Sequence, residues 1–476
     1  MRMTKSEQLA NSLKHLIQSG YWKAHDKLPS LRQQVESSGF SLMTVLNAYQ
    51  ELEAQGLIYA KEKQGYFIRA TQHTLETQQR ENNHLILNEK IEINSVVFHY
   101  LKSIQSEHII PLGSAFPDSR LLFSERLMQT LTQKAKQRFS YLQMPSLPPG
   151  NLELRKWIAQ RYCMQGIATD PADIVVTSGG LDALNLSLRA ITQPGDYIVL
   201  QETSFYGAWQ AAEHLGLNVI TIAEHAEYGL DLTALAQAIA QYPIKACLLM
   251  LNSQNPTGFT VSDATKRELA QLLQQHHIYL IEDDVYEELY YERKPLVMKS
   301  LDDQGLMLHC CSFSKTLGAG FRVGWVYAGQ FSEKIQHLQL MSTISVNSLI
   351  QHTLAEYVAS RHYDKHLKQL RSELQQLKRD YIALLTALLP AQCEINAYAS
   401  GYFLWLKLPE QIDSHQLYQQ LLEQQIGIAP SELFNRKQHF KNYIRLNCSF
   451  HLSPQIQAAL TRLAQQIQHG LSISMV

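Results

Sequence analysis

The sequence predicts an α/β protein in two unlike parts: a small helical unit with a β-hairpin at the N-terminus, then a large domain on a mostly parallel sheet that closes with a smaller α+β portion. Three observations predict it. Helical apolar spacing dominates the first segment and gives way to two short strand-like runs. Strand-like runs then alternate with helical stretches through the middle of the chain, the pattern of parallel α/β sheets. The last third is helix-rich before two more strand candidates. A length of 476 residues favours about three compact units.

Taken in order, Leu9, Leu13, Leu16 and Ile17 recur with a helical period, and Gly20 follows where a helix would stop. The run SLRQQVESSGFSLMTVLNAYQELEAQG reads as a short helix, a turn at Gly39, and a longer helix with Ser41 as N-cap and Gly56 as its stop. Leu57 to Ala60 and Tyr66 to Ile68, joined by the charged turn of residues 61–65, suit a hairpin. Three helices and a hairpin make a winged helix-turn-helix over residues 1–70. Residues 71–90, rich in Gln, Asn, Glu and Thr, read as a flexible linker spanning on the order of 25 Å. From Ile91, helical spacing resumes through Val96, Val97, Tyr100, Leu101 and Ile104. The runs DIVVT, YIVLQE, KACLLML, IYLIEDD and GLMLHCCSF then mark strands. The domain over 91–476 divides into a large part, about 105–341, and a small part, about 342–476, with GYFLWLKL and YIRLNCSF as its strands. A cleft between the two parts is where a small molecule would sit.

Hydrophobic residues make up 45 % and charged residues 18 %, enough for ordinary cores and against wholesale disorder. A net charge of −1 excludes a uniformly basic nucleic-acid coat but allows a local basic face. Residues 1–70 carry nine basic and six acidic side chains, a modest excess of the sign that DNA requires. None of the six cysteines forms a Cys-x-x-Cys pair, so no metal is expected. With no apolar run of about 18 residues, the reading is a soluble protein of the reducing cytoplasm, without a membrane partner.

In a helix-turn-helix, the N-terminal residues of the second helix reach base edges. Here these are Ser41 to Asn47, with Thr44 and Asn47 as base contacts and Arg32, Lys61 and Lys63 as phosphate contacts.

The large domain offers the parts that a pyridoxal phosphate site requires. Those are an amine for a Schiff base, an acid for the pyridine nitrogen, donors for the phenolic oxygen and an anion cradle. Gly179 and Gly180 in VVTSGGLDALNL stand between a strand and a helix, where backbone N–H groups receive phosphate or simply turn the chain. Phe205 offers a face for ring stacking or for core packing. Asn255, in NPTG, presents an amide donor in a turn fixed by Pro256 and Gly258. Asp283 and Tyr286 end the strand of IYLIEDDVY, where a carboxylate is hard to explain as core. In HCCSFSKTLGAGFRVGWV, Lys315 is accompanied by Ser312, Ser314 and Arg322, good phosphate partners.

Through LPSLRQQV, SLMTVLNAYQELEAQGLI and QGYFI, residues 4 to 69 resemble the GntR-type winged helix. The chain departs at Leu42 and Leu46, where many relatives carry arginine. From about Pro111 onward it resembles the fold-type-I aminotransferases, which are pyridoxal-phosphate-dependent. That resemblance implies Lys315 as the Schiff-base lysine and Asp283 as the pyridinium partner. It implies Asn255 and Tyr286 as phenolic-oxygen donors, Ser312, Ser314 and Arg322 as phosphate ligands, and Arg445 as the α-carboxylate site. Pro145 replaces a tyrosine that in many relatives reaches the neighbouring subunit. The two segments in this order resemble the MocR/GabR subfamily of GntR regulators. The expectation is a homodimeric regulator that binds double-stranded DNA and senses the cofactor or an amine or amino-acid ligand, with transaminase turnover as the alternative.

Overall fold

The computed structural model describes residues 4–473 except 19–21, 23, 24, 62, 63, 70–92, 105, 107, 137–144, 225–228 and 436–440. Gly20, Lys63 and the linker expected over 71–90 therefore lie outside the described residues, as do the side chains of Leu16 and Val96.

Helix α1 (Lys5–Gln18) buries Leu9, Ala10, Leu13 and Ile17 on one face. Helix α2 (Leu31–Ser38) starts in a capping box between Ser30 and Gln33 and stops at Gly39, whose φ of 69° is the left-handed conformation that glycine adopts without a Cβ penalty. Helix α3 (Leu42–Ala54) is capped by Ser41 and buries Val45, Ala48, Tyr49 and Leu52. The hydroxyl of Tyr49 donates to the Pro29 carbonyl, tying α3 to the loop before α2. Strands β1 (Ile58–Lys61) and β2 (Gly65–Ile68) form the antiparallel hairpin. Beyond the expected hairpin, Lys27 bridges Phe67, so β2 is paired on both sides. A single bridge of this kind leaves no periodic signal in sequence.

The large sheet runs β3-β9-β8-β7-β6-β4-β5. Its strands are β3 (Ile174–Thr177), β4 (Tyr197–Gln201), β5 (Asn218–Ile222), β6 (Ile244–Leu249), β7 (Tyr279–Asp283), β8 (Met307–Ser312) and β9 (Gly324–Tyr327). β4 to β8 pair in parallel, whereas β9 is antiparallel to both β3 and β8, so every strand but β9 points the same way. Both faces are covered. Ile198, Leu200, Leu248 and Ile281 enter one core, and their neighbours Val199, Leu249 and Leu280 enter another, as a period of two dictates for a doubly buried sheet.

The small part holds the antiparallel sheet β10-β11-β13-β12, with β10 (Glu394–Asn396), β11 (Phe403–Lys407), β12 (Ala429–Pro430) and β13 (Tyr443–Asn447). The 27-residue helix His362–Leu388 packs on it through Leu370, Leu374, Leu377 and Tyr381. No described helix is long and apolar enough to cross a membrane.

Candidate functional site

In open α/β sheets, ligands bind beyond the carboxyl ends of the strands, and the candidate residues gather there. β3 runs out into Gly179, β6 into Asn252–Asn255, β7 into Asp283 and Tyr286, and β8 into Ser312 and the 3₁₀ turn Phe313–Lys315. A chain of hydrogen bonds behind the site fixes β7 against β8. Trp325 donates to the Tyr162 hydroxyl, which lies 2.6 Å from His309 Nδ1; His309 Nε2 lies 3.1 Å from Asp284, and Asn252 donates to the same Asp284 oxygen. Against burial, which lowers it, the neighbouring carboxylates of Asp284, Glu282 and Glu287 favour the protonated imidazole and hold the His309 pKa above its ordinary value.

Lys315 is 8 % exposed and donates to the Ala115 carbonyl at 2.7 Å. Its ammonium lies over the rings of Phe116, at 4.4 Å, and Tyr286, at 5.3 Å. Burial pulls its pKa down to about 7, assisted by the positive charges of Arg445 and Arg322 and opposed by Asp283. Asp283 moves the opposite way. Burial raises its carboxyl to about 7 against the Val285 backbone N–H, and its Oδ1 is buried without a hydrogen-bond partner. A buried carboxyl oxygen in that state is expensive unless something shares its proton.

Arg445, on β13, is fully buried. Its guanidinium donates to Asn255 Oδ1 and the Gly113 carbonyl, lies over Phe403 and Phe434, and leaves Nε without a partner. Among the described residues, no carboxylate pairs with it. Because Asn255 spends its oxygen on Arg445, its NH2 remains as a donor. Tyr286 is 2 % exposed, edge-on to Tyr402 and Phe403, and its hydroxyl interacts with that of Tyr402.

At the expected anion cradle, Gly179 has φ 92° and stands as N-cap of the helix Gly180–Ile191, while the Asp182 carboxylate in the first turn accepts the Ser178 backbone N–H. Arg322, itself left-handed at φ 50°, donates to the Ser178 carbonyl, and its guanidinium hangs over Gly179. A Cβ on Gly179 would lie 2.7 Å from Arg322 Nη2. Gly179→Ala is therefore expected to cost about 1–3 kcal/mol of stability in denaturant unfolding, and to weaken cofactor retention about tenfold by displacing the guanidinium. Unchanged retention would remove Arg322 from the cradle. Ser314 is buried, and Ser312 accepts from the Ser314 backbone N–H while its side chain approaches Gly180. Phe205 is half-buried, tilts against Tyr206 at 4.5 Å and packs against the buried cluster around Val97 and Tyr100, so its ring serves the core.

Sequence reading missed the segment Leu112–Phe116. Its carbonyls at Gly113 and Ala115 receive Arg445, Tyr100, Lys315 and the Tyr402 hydroxyl. Gly113 has no room for a Cβ, which would lie 2.4 Å from the Ala429 backbone nitrogen. The Gly–Ser–Ala–Phe–Pro run was the one available signal.

In the N-terminal head, Arg32, Ser41, Asn47 and Lys61 are exposed and Thr44 is half-buried. The hydroxyls of Ser41 and Thr44 lie 2.8 Å apart, and Ser41 Oγ also accepts the Thr44 N–H, so both are engaged in capping α3.

A helix-turn-helix head followed by an aminotransferase fold with a buried lysine at the strand ends defines a class of regulator built on an aminotransferase fold. Residues 5–68 match the family of bacterial regulatory proteins named for GntR, and residues 108–463 match aminotransferase class I and II. The chain belongs to the GntR-type transcriptional regulators that carry a class I and II aminotransferase domain, the architecture of the MocR/GabR group. It is 44 % identical over 470 residues to the uncharacterized HTH-type transcriptional regulator YdcR of Escherichia coli, covering 98 % of this chain and 100 % of that one. It is 32 % identical to YjiR of the same organism, over 98 % of this chain and all of the other. Among solved structures, kynurenine aminotransferase of Pyrococcus horikoshii superposes with a TM-score of 0.73 at 24 % identity, covering 81 % of this chain and 96 % of that one.

Proposed function

We propose that this regulator binds pyridoxal 5′-phosphate at Lys315 and uses the cleft to sense the cofactor itself or an amine or amino acid. The observation that carries the reading is the pairing of a buried amine held near neutrality with a buried carboxyl oxygen that has no partner. When bound, the cofactor supplies an electrophilic aldehyde to which a neutral amine adds reversibly. Lys315 provides that amine. Asp283 would offer a proton to the cofactor's ring nitrogen, Asn255 and Tyr286 would serve its ring oxygen, and Phe205 would offer a face to its ring. Gly179, Gly180, Ser312, Ser314 and Arg322 hold the phosphate, and Arg445 receives a ligand carboxylate.

Arg32, Lys61 and Lys63 meet DNA phosphates, and two copies of the chain present paired heads. A ligand shifts their geometry only to the extent that it binds one arrangement better than the other. Footprinting around the protein's own gene, with and without cofactor and amino acids, tests this: protection that ignores every such addition overturns the sensing role.

Uptake of the cofactor should follow the neutral fraction of Lys315. Below a pH of about 7 the rate should fall about tenfold per unit, and above it the rate should level off. A flat profile across this range would show another group reacting.

The same near-neutral amine suits a general base, which favours genuine transaminase turnover as a second reading. Incubation with amino acids and 2-oxo acids separates the two. Sustained product formation supports the enzyme, and a spectral change without product supports the sensor.

A further inference from the structure

The reading surface of α3 is unusual in its chemistry. At its N-terminus, Leu42 is 53 % and Met43 63 % exposed, two large apolar side chains side by side where solvent contact costs most. The hydroxyls of Ser41 and Thr44 are turned toward each other. The remaining exposed positions as far as Gln50 are Asn47 and Gln50 itself, so no charged residue stands on this part of the helix. The cations lie on neighbouring elements instead: Arg32 at the start of α2, Lys27 before it and Lys61 on the hairpin, all exposed.

That division matches the two tasks of a major-groove reader. Phosphates need cations and fix the register, whereas base edges need complementary donors, acceptors and apolar contacts. Guanine is read by Arg or Lys, which this face lacks. Thymine alone presents a methyl group in the major groove, and adenine, its partner, is read by Asn or Gln amides. Resting on the assignment of the head as a DNA binder, we infer that Leu42 and Met43 pack on thymine C5-methyl groups, with Asn47 and Gln50 on the adjoining adenines. The operator half-site is then a run of A·T pairs where α3 enters the groove.

The experiment uses the full-length protein. Binding sites are selected from random-sequence duplexes, and the thymines of the enriched half-site are then replaced by deoxyuridine, which removes only the methyl. Selection is expected to yield A·T pairs at the contacted positions, and deoxyuridine to weaken binding about fourfold for each methyl contacted. The Leu42→Ala/Met43→Ala protein, altered only at exposed positions, should bind thymine and deoxyuridine duplexes alike. Enrichment of G·C pairs at these positions, undiminished affinity for the deoxyuridine duplex, or thymine dependence that survives in the double variant would each overturn the inference. Enrichment of no sequence at all, with no retention of any duplex, would instead remove the DNA-binding reading on which it rests.

Discussion

Lys315→Ala protein mixed with pyridoxal phosphate is expected to show none of the absorption of lysine-bound cofactor, and no mass increase after reduction and denaturation. The loss should be complete, because covalent capture requires an amine that is both neutral and inside the cleft. The variant should still fold. The Ala115 carbonyl that receives Lys315 also receives the Tyr402 hydroxyl at 2.8 Å, so truncation leaves no orphaned acceptor. The linkage also favours it. A lysine whose folded pKa lies near 7, below its unfolded value, binds fewer protons in the folded state, so its presence costs stability increasingly as pH falls from about 10 toward about 7. Two other buried amines make the test discriminating. Lys266 is held by Asn252 and the Leu296 carbonyl, and Lys378, lowered to about 8 by burial, is held by the carbonyls of Tyr398 and Ser400. A mass increase that persists in the variant would assign the attachment to one of these and end the proposal for Lys315.

The contrast between Lys315 and its surroundings explains what the sequence disclosed. Lys315, Asp283, Tyr286 and Asn255 sit in short contiguous stretches at the ends of apolar strands, so residue type and strand position together mark them. Ser41 and Gly39 were readable for the same reason, since a cap is decided within four residues, although the Ser30–Gln33 capping box of α2 went unread. The backbone acceptors Gly113 and Ala115 were not, because a carbonyl has no residue identity and these become a site only when Lys315, 200 positions on, folds against them. β9 was unmarked as well: four residues slot antiparallel between β3 and β8, and register between distant strands is a tertiary property. The network Trp325–Tyr162–His309–Asp284–Asn252 joins residues from five separate stretches, and it exists only once the sheet has brought them together.

Arg445 carries the second large effect. A fully buried guanidinium without a carboxylate is costly to desolvate, and its two neutral acceptors offset only part of that cost. In the proposed reading, a ligand carboxylate would complete the site by a charge-assisted contact to the planar fork, worth about 1.5–3 kcal/mol. Arg445→Gln keeps a donor for Asn255 or Gly113 but removes the charge, so the affinity for an amino acid should fall roughly 10- to 150-fold. The corresponding decarboxylated amine, which lacks the group that the arginine receives, should bind parent and variant alike. Titrating both ligands into cofactor-loaded protein and reading the spectral change gives the comparison directly. Equal losses for the amino acid and its amine would make Arg445 a structural anchor of Asn255 instead, because a damaged cleft weakens every ligand whereas a missing carboxylate partner weakens only those that bring a carboxylate.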